Sequence, residues 1–171
     1  MPGGQELQRH DFEDRVTLAK TLAEAVAANI EAAQIRSGIA AIAVSGGTTP
    51  ARFFTELGKR KGIDWAKVYV TLVDERWVDE TNDRSNAALV NEKMLQGPAA
   101  IAHFVPLYTG GEAPDAAAIE RTNRMIETLP RRYAAVVLGM GNDGHTASFF
   151  PGADNLVEAL RGEGPAIAIR A

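Results

Sequence analysis

The stretch VYVTLV at residues 68–73 is followed directly by the charged tripeptide DER at residues 74–76. Apolar and β-branched residues occupy consecutive positions of the stretch rather than alternate ones. That pattern is typical of a strand buried on both faces, as in a parallel sheet covered by helices. Ligands bind at the carboxyl ends of the strands in such sheets. The stretch therefore predicts an α/β fold and also the edge of the sheet that carries the site.

Similar runs lie on both sides of this stretch. Residues 39–44 form a short apolar run, residues 102–107 form a weaker one, and residues 134–138 form a run that we expect to be a buried strand. Each of these runs has the length and the apolar character of a strand in a sheet interior. The chain therefore predicts at least four strands in one sheet.

Segments with helical periodicity separate the predicted strands. Apolar residues recur three and four positions apart in the first of them, and we expect Asp11 to cap that helix and Gly38 to end it. The predicted helices cover residues 14–34, the residues after Pro50, about 85–95, and 116–129. Alternation of strand, turn and helix predicts a doubly wound, mostly parallel Rossmann-like sheet flanked by helices.

The composition fits one globular domain that spans residues 1–171. Hydrophobic residues make up 46% of the chain and charged residues 23%, as is ordinary for a folded protein. The net charge of -4 argues against a nucleic-acid partner, because such partners require a basic face. A phosphorylated small molecule needs only a few local donors, so the charge leaves that class of ligand open.

Several other classes of site are disfavoured. The chain has no cysteine, which excludes a disulfide framework and a cysteine metal site, and its three histidines are too far apart in sequence for a metal motif. The first ten residues are polar and lack the apolar core of a signal sequence. No apolar run is long enough to cross a membrane. We therefore expect a cytoplasmic protein without a metal or membrane partner.

The segment SGGTTP at residues 45–50 follows the first predicted strand. Gly46 and Gly47 let the backbone turn tightly, and Ser45 and Thr48 add hydroxyl groups. The start of the next helix adds free N–H donors and a partial positive charge, which together suit one phosphate group. The segment is equally compatible with a plain turn into a helix capped by Thr48 or Thr49.

Asp74 and Arg76 lie at the end of the buried strand, where packing alone does not require charges. The Arg76 guanidinium can hold a phosphate or a developing oxyanion, and the Asp74 carboxylate can bind sugar hydroxyls or move protons. A solvated loop with an internal ion pair is the alternative explanation.

The third segment, GMGNDGHTAS at residues 139–148, contains a Gly-x-Gly-x-x-Gly pattern after a strand. A dinucleotide site is rejected because the pattern comes late in the chain and Pro151 interrupts the helix that should follow. The segment instead presents Asp143 and His145 on a glycine-rich turn that includes Gly141. Imidazole is a suitable general base near neutral pH, and Asp143 is close enough in sequence to orient it. A histidine that caps a helix is the structural alternative.

The three segments, in this order, resemble the 6-phosphogluconolactonase family. The matching sequence is SGGTTP at 45–50, DERWV at 74–78 with Ser85 and Asn86 after it, and LGMGNDGHTASFFPG at 138–152. The resemblance implies a Rossmann-like sheet shared with glucosamine-6-phosphate deaminases, ribose-5-phosphate isomerases and CoA transferases. It also implies hydrolysis of 6-phosphogluconolactone, the second step of the oxidative pentose phosphate pathway, without metal or organic cofactor.

By the same resemblance, His145 is the catalytic residue, with Asp143 and Arg76 assisting it. Ser45, Gly46, Gly47, Thr48, Asp74, Arg76 and Gly141 are the expected contacts of the phosphate and the sugar. The family pattern continues with an Arg-x-Thr strand and a lysine-bearing segment, so relative to that pattern we expect the chain to be incomplete at its C-terminus.

Two other functions remain open. The first is the deaminase or isomerase chemistry of the same superfamily, although the acidic residue that follows the histidine in the deaminase pattern is absent here. The second is binding of a sugar phosphate without turnover, which the missing C-terminal part of the pattern favours. Release of ammonia from glucosamine 6-phosphate distinguishes the first, and binding without rate enhancement distinguishes the second.

Overall fold

The computed structural model describes residues 7–162 and 164–170. Its strands are β1 Ala40–Val44, β2 Val68–Leu72, β3 His103–Val105 and β4 Ala135–Val137. Its α-helices are α1 Arg15–Ser37, α2 Ala51–Gly58, α3 Asn86–Lys93, α4 Ala116–Glu127 and α5 Leu156–Arg161. Short 3-10 helices cover Trp65–Lys67 and Gly97–Ile101. The expectation of a polar N-terminus falls partly on residues 1–6, which lie outside the described residues.

The four strands form one sheet in the order β3-β2-β1-β4, and all its pairings are parallel. From β1 the chain moves outward through β2 to β3 and then returns to the other side of β1 with β4. The strand order therefore reverses between β1 and β4, which makes their carboxyl ends the topological switch point. This arrangement confirms the predicted α/β class with a parallel, helix-flanked sheet.

The densest packing is on the face of the sheet that carries α1, α2 and α3. Small residues on α1, such as Ala23 at 0% exposure, let that helix lie close to its neighbours. Phe53, Phe54 and Leu57 of α2 are fully buried against it. Burial of large apolar side chains supplies most of the stabilisation of such a layer, at about 1.5–3 kcal/mol each. This layer holds the strand ends in fixed positions.

The start of α1 differs from the predicted one. The helix begins after Asp14, whose side chain accepts a hydrogen bond of 2.7 Å from the Thr17 backbone N–H. Prediction of Asp11 as the cap was wrong, because the cap is the residue directly before the first helical residue, which is Arg15. That hydrogen bond also lowers the pKa of Asp14. Gly38 ends the helix with a φ of 78°, as predicted.

Strand β4 is less buried than its sequence predicts. Val137 packs against the core, but the exposed fractions of Val136 and Leu138 are both 54%. The reason is that β4 is the edge strand of the described sheet, and a cleft of about 1130 Å³ separates the outer sheet face from α4. The expectation of a buried strand at residues 134–138 is therefore wrong for the described residues. Among them, no helix is both long and apolar enough to span a bilayer.

Candidate active site

The turns after β1 and β4 lie side by side at the switch point. The Ser45 backbone N–H donates to the Val137 carbonyl at 3.0 Å, which continues the pairing of the two strands. A Cβ on Gly139 would lie 3.6 Å from Ser45 Oγ, so the backbone of the second turn is in contact distance of the first. The first and third predicted segments are therefore neighbours in space.

The turn after β1 is open to solvent beyond its first residue. Ser45 is 6% exposed, whereas Gly47 and Thr48 are exposed, and Gly47 has a φ of 92° that favours glycine. Helix α2 begins at Ala51, and its N-cap Pro50 has no side-chain capping bond. The alternative in which Thr48 or Thr49 caps this helix is therefore wrong. The exposed turn before a helix start has the character of an anion site.

The segment after β2 is held in place by Glu75. Its carboxylate accepts hydrogen bonds from the backbone N–H groups of Arg76 at 2.7 Å, Asn86 at 2.8 Å and Ala87 at 2.8 Å. It also accepts from Ser85 Oγ at 3.2 Å. A carboxylate at the start of α3 satisfies helix N–H groups that have no partner within the helix. Glu75 therefore has a structural role. Of the three charged residues in this segment, Asp74 and Arg76 remain as candidates for contact with a substrate.

Asp74 is connected to both of the other segments. Its carboxylate Oδ2 accepts from Ser148 Oγ at 2.9 Å, three residues beyond His145 in the chain. Its backbone carbonyl accepts from Asn86 Nδ2 at 2.9 Å. Asn86 in turn lies against Gly46, since a Cβ there would be 1.7 Å from Asn86 Oδ1. Side chains therefore join all three polar segments at one edge of the sheet.

His145 is held from three sides. Its Nδ1 forms a hydrogen bond of 2.5 Å with Asp143 Oδ1, and its ring centroid is 4.3 Å from that of Phe150. The edge of the ring stands against Gly141, where a Cβ would be 2.2 Å from His145 Cε1. The imidazole ring therefore packs directly against Gly141 Cα. In addition, the Gly141 N–H donates to the His145 carbonyl at 2.8 Å.

The Asp143–His145 contact determines which ring nitrogen is available. The pKa of Asp143 is lowered chiefly by the hydrogen bond from the His145 side chain, with a further contribution from its backbone N–H. An ionised Asp143 accepts a proton-bearing Nδ1, so the neutral imidazole presents an unprotonated Nε2. The His145 side chain is 26% exposed, which leaves the ring partly accessible. The pair has the geometry of an oriented general base.

Arg76 lies in a cleft that it shares with Asp74 but not with His145. Its side chain is exposed, and its Nη1 donates to the Arg84 carbonyl at 3.0 Å. Together with Asp74, Trp77 and Ser148 it lines the cleft beside the sheet. Neither His145 nor the turn after β1 lines that cleft. Phe150 connects the cleft to His145, because it lines the cleft and contacts the imidazole ring.

Three residues outside the predicted site have evident tasks there: Glu75, Asn86 and Ser148. Their only signal in the sequence was their place inside the matching segments, since each acts through a contact with a distant residue. Within the described part of the chain, no three histidine or acidic side chains are grouped so that they could hold a metal ion. The site therefore consists of one imidazole, carboxylates, a guanidinium and two glycine-rich turns.

Fold and site together define an α/β protein with a polar, histidine-bearing site at the switch point of a parallel sheet. The model of the family of glucosamine-6-phosphate isomerases and 6-phosphogluconolactonases matches residues 13–170. The chain belongs to this family.

Two similar proteins of that family are both 6-phosphogluconolactonases. A 6-phosphogluconolactonase of Rhizobium meliloti is 52% identical over 151 residues, which cover 88% of this chain and 64% of that protein. One of Mesorhizobium japonicum is 51% identical over 87% of this chain and 62% of that protein. The chain thus spans less than two thirds of the length of these curated relatives.

Solved structures give the same result. The structure of a 6-phosphogluconolactonase from Shewanella baltica aligns with a TM-score of 0.89 at 38% identity, over 93% of this chain and 67% of that one. The structure of a putative 6-phosphogluconolactonase from Neisseria gonorrhoeae aligns with a TM-score of 0.81 at 36% identity, over 90% of this chain and 66% of that one. These values confirm the predicted fold class.

Proposed function

We propose that this protein hydrolyses 6-phospho-D-glucono-1,5-lactone to 6-phospho-D-gluconate. The observation that carries the proposal is the His145 imidazole, whose Nδ1 is bound by Asp143 and whose ring rests on Gly141. Its place at the switch point of the sheet, and the name shared by relatives up to 52% identical, support the same reaction. The proposed setting is the cytoplasm, and the proposed partner is a phosphosugar lactone.

In the proposed mechanism, Nε2 of His145 takes a proton from a water molecule, and the water oxygen attacks the lactone carbonyl carbon. The tetrahedral oxyanion is stabilised by backbone N–H groups or by the Arg76 guanidinium. When the intermediate collapses, the bond between the carbonyl carbon and the ring oxygen breaks. The imidazolium returns its proton to that oxygen, so the net reaction consumes one water. Asp143 keeps the ring in the required tautomer throughout.

Binding of the substrate is assigned to the remaining predicted residues. The turn formed by Ser45, Gly46, Gly47 and Thr48 would receive the phosphate, for which an exposed turn before a helix is suited. Asp74 would accept hydrogen bonds from sugar hydroxyls through the carboxylate oxygen that Ser148 leaves free. These roles are separate from catalysis and should affect KM more than kcat.

Hydrolysis of 6-phosphogluconolactone, generated in the assay and compared with its spontaneous loss, tests the proposal. We expect His145→Ala to lower the enzymatic rate by roughly 100- to 10,000-fold, the usual contribution of general base catalysis. His103→Ala is the matched control, because His103 lies at the opposite, amino end of β3 and contacts the Ala66 carbonyl. Wild-type turnover by the His145→Ala variant would contradict the proposed mechanism.

Assays with glucosamine 6-phosphate test the deaminase or isomerase chemistry of the same superfamily. Ammonia release at a rate above that of lactone hydrolysis would replace the lactonase proposal with the deaminase chemistry. Binding of the phosphosugar with no rate enhancement for either substrate would identify a binding protein instead.

A further inference from the structure

The Asn86 amide lies between two segments of the proposed site. Asn86 is the first residue of α3 and is 3% exposed. Its Nδ2 donates to the Asp74 carbonyl at 2.9 Å, while its other face lies against Gly46. A Cβ on Gly46 would be 1.7 Å from Asn86 Oδ1 and 2.0 Å from Asn86 Cγ. The amide is therefore in contact with the turn after β1 and with the segment after β2.

Strand register explains why one side chain reaches both segments. Val44 of β1 is paired with Leu72 of β2, and the strands are parallel. Gly46 and Asp74 each lie two residues beyond that pair, so they leave the sheet at the same level. The Asn86 amide occupies the space between them, where a glycine on one side provides the room.

Asn86 itself is fixed by the start of α3. Its backbone N–H and that of Ala87 both donate to the Glu75 carboxylate at 2.8 Å. Ser85 caps the helix by accepting from the Ala88 N–H at 3.1 Å. A side chain that extends from a doubly fixed helix start has little freedom to move. Its amide can therefore hold the turn after β1 and the segment after β2 at a fixed separation.

We propose that Asn86 is a positioning residue, which sets the distance between the phosphate-binding turn at Gly46 and the sugar-binding Asp74. The inference rests on the proposed function, in which one substrate spans both segments. Asn86 touches neither the phosphate nor the reacting carbonyl in this arrangement. It acts on affinity by keeping the two halves of the substrate site in register with each other.

Asn86→Ala removes both the spacer and the hydrogen bond to Asp74. We expect the affinity for inorganic phosphate, measured by calorimetry, to fall roughly tenfold, by analogy with the loss of about 10- to 100-fold when a residue that orients a metal ligand is removed. KM for the lactone should rise by a similar factor, while kcat should change less. Asn91→Ala is the matched control, because Asn91 lies on the same helix and donates to Glu80 at the surface. That variant should keep both the phosphate affinity and KM.

Two further variants separate positioning from folding. Asn86→Asp keeps the size of the side chain but places an acceptor opposite the Asp74 carbonyl, so it should also weaken phosphate binding. Gly46→Ala introduces a Cβ into the space of the amide, and the double variant Gly46→Ala/Asn86→Ala frees that space again. The loss of phosphate affinity caused by Gly46→Ala should therefore be smaller in the Asn86→Ala background, a non-additivity expected of residues in contact.

Unchanged phosphate affinity and KM in folded Asn86→Ala and Asn86→Asp, with only a lower melting temperature, would overturn the inference. Additive effects at positions 46 and 86 would overturn it as well. Failure of the proposed function is a different result, namely the absence of lactone hydrolysis by the wild-type protein. The calorimetric comparison does not depend on turnover, so the two failures are distinguishable.

Discussion

The turns after β1 and β4 use the same structural device for different tasks. In each, a glycine provides space for a side chain: Gly46 for Asn86, and Gly141 for His145. The Asn86 amide is buried at 3% exposure and joins two backbone segments, whereas the His145 side chain is 26% exposed. Under the proposed function, the buried amide sets the geometry, and the partly exposed imidazole is available for chemistry.

Under the proposed function, the two neighbouring strand ends have different roles in the site. The turn after β1 carries hydroxyls and backbone N–H groups but no titratable side chain. The turn after β4 carries a carboxylate and an imidazole bound to each other. Substitutions at the first turn should therefore act on binding, and those at the second on catalysis.

Among substitutions of the glycines in the two turns, the largest effect is expected from Gly141→Ala. A new Cβ would be 2.2 Å from His145 Cε1 and 2.7 Å from Asp143 Oδ1, so the imidazole must move. Displacement of a catalytic group by about 1 Å commonly costs about 100-fold in rate, and we expect at least that loss of kcat. Lactone hydrolysis under saturating substrate measures it.

Gly139→Ala is the control for this substitution. Its Cβ would lie 3.6 Å from Ser45 Oγ, an ordinary contact that requires no movement. It should therefore lower kcat far less than Gly141→Ala. Equal losses of kcat in the two variants would mean that the whole turn is sensitive to substitution, and not specifically the contact between Gly141 and the His145 ring.

Gly46→Ala should have the next largest effect, and it should fall on stability and binding. The new Cβ would overlap the buried Asn86 amide, and overpacking of this kind costs about 1–3 kcal/mol. For a chain of this size the melting temperature should then fall by roughly 2–12 °C. Thermal unfolding followed by circular dichroism measures the loss. A kcat loss as large as that of Gly141→Ala would break the contrast between the two turns.

The sequence alone predicted the strands and the polar segments of the two turns, but not the side-chain contacts that make the turns differ. The strands, their mostly parallel arrangement and the three polar segments follow from apolar runs and turn residues, which are local signals, whereas the strand order is known only from the structure. The contacts of Gly46 with Asn86 and of Asp74 with Ser148 join residues 40 and 74 positions apart, where periodicity carries no information. Exposure of Val136 was also missed, because an apolar run does not tell whether its strand lies at an edge.

Helix starts show the same limit on a smaller scale. Asp11 and Asp14 are both good capping residues, and only the residue at which the helix begins decides between them. The structure begins the helix at Arg15, so Asp14 is the cap and accepts from the Thr17 N–H. Thr48 and Thr49 were plausible caps for the same local reason, yet α2 begins without a side-chain cap.

Ser148→Ala should have a moderate effect that sharpens the comparison. It removes the hydrogen bond of 2.9 Å to Asp74 Oδ2, which ties the segment after β2 to the one that contains His145. A single hydrogen bond to a charged group contributes about 1.5–3 kcal/mol, so kcat/KM should fall by roughly 10- to 100-fold. Ser37→Ala is a control, because Ser37 bonds to the backbone at the end of α1. An unchanged kcat/KM in Ser148→Ala would show that the orientation of Asp74 does not depend on its hydrogen bond with Ser148.

The smallest effect is expected from Asp143→Asn on stability in acid. The hydrogen bond from His145 lowers the pKa of Asp143 below its ordinary value of 3.8, so the folded state keeps this carboxylate ionised where the unfolded state protonates it. Its stabilising contribution is therefore present above the ordinary pKa and is lost as the pH falls through the folded value. The wild-type protein should lose this part of its stability as the pH falls below about 4, and the asparagine variant should not.

Asp14→Asn tests whether the loss of stability in acid is linked to the proposed active site. The pKa of Asp14 is also lowered, there by the hydrogen bond from the Thr17 backbone, and both carboxylates are at the protein surface. Both variants should flatten the acid limb of a melting-temperature profile, but only Asp143→Asn should also lower lactone hydrolysis at neutral pH. The reason is that an asparagine at position 143 no longer fixes the tautomer of His145, whereas position 14 caps a helix far along the chain. Equal lactone hydrolysis in the two variants would show that His145 does not need a charged partner.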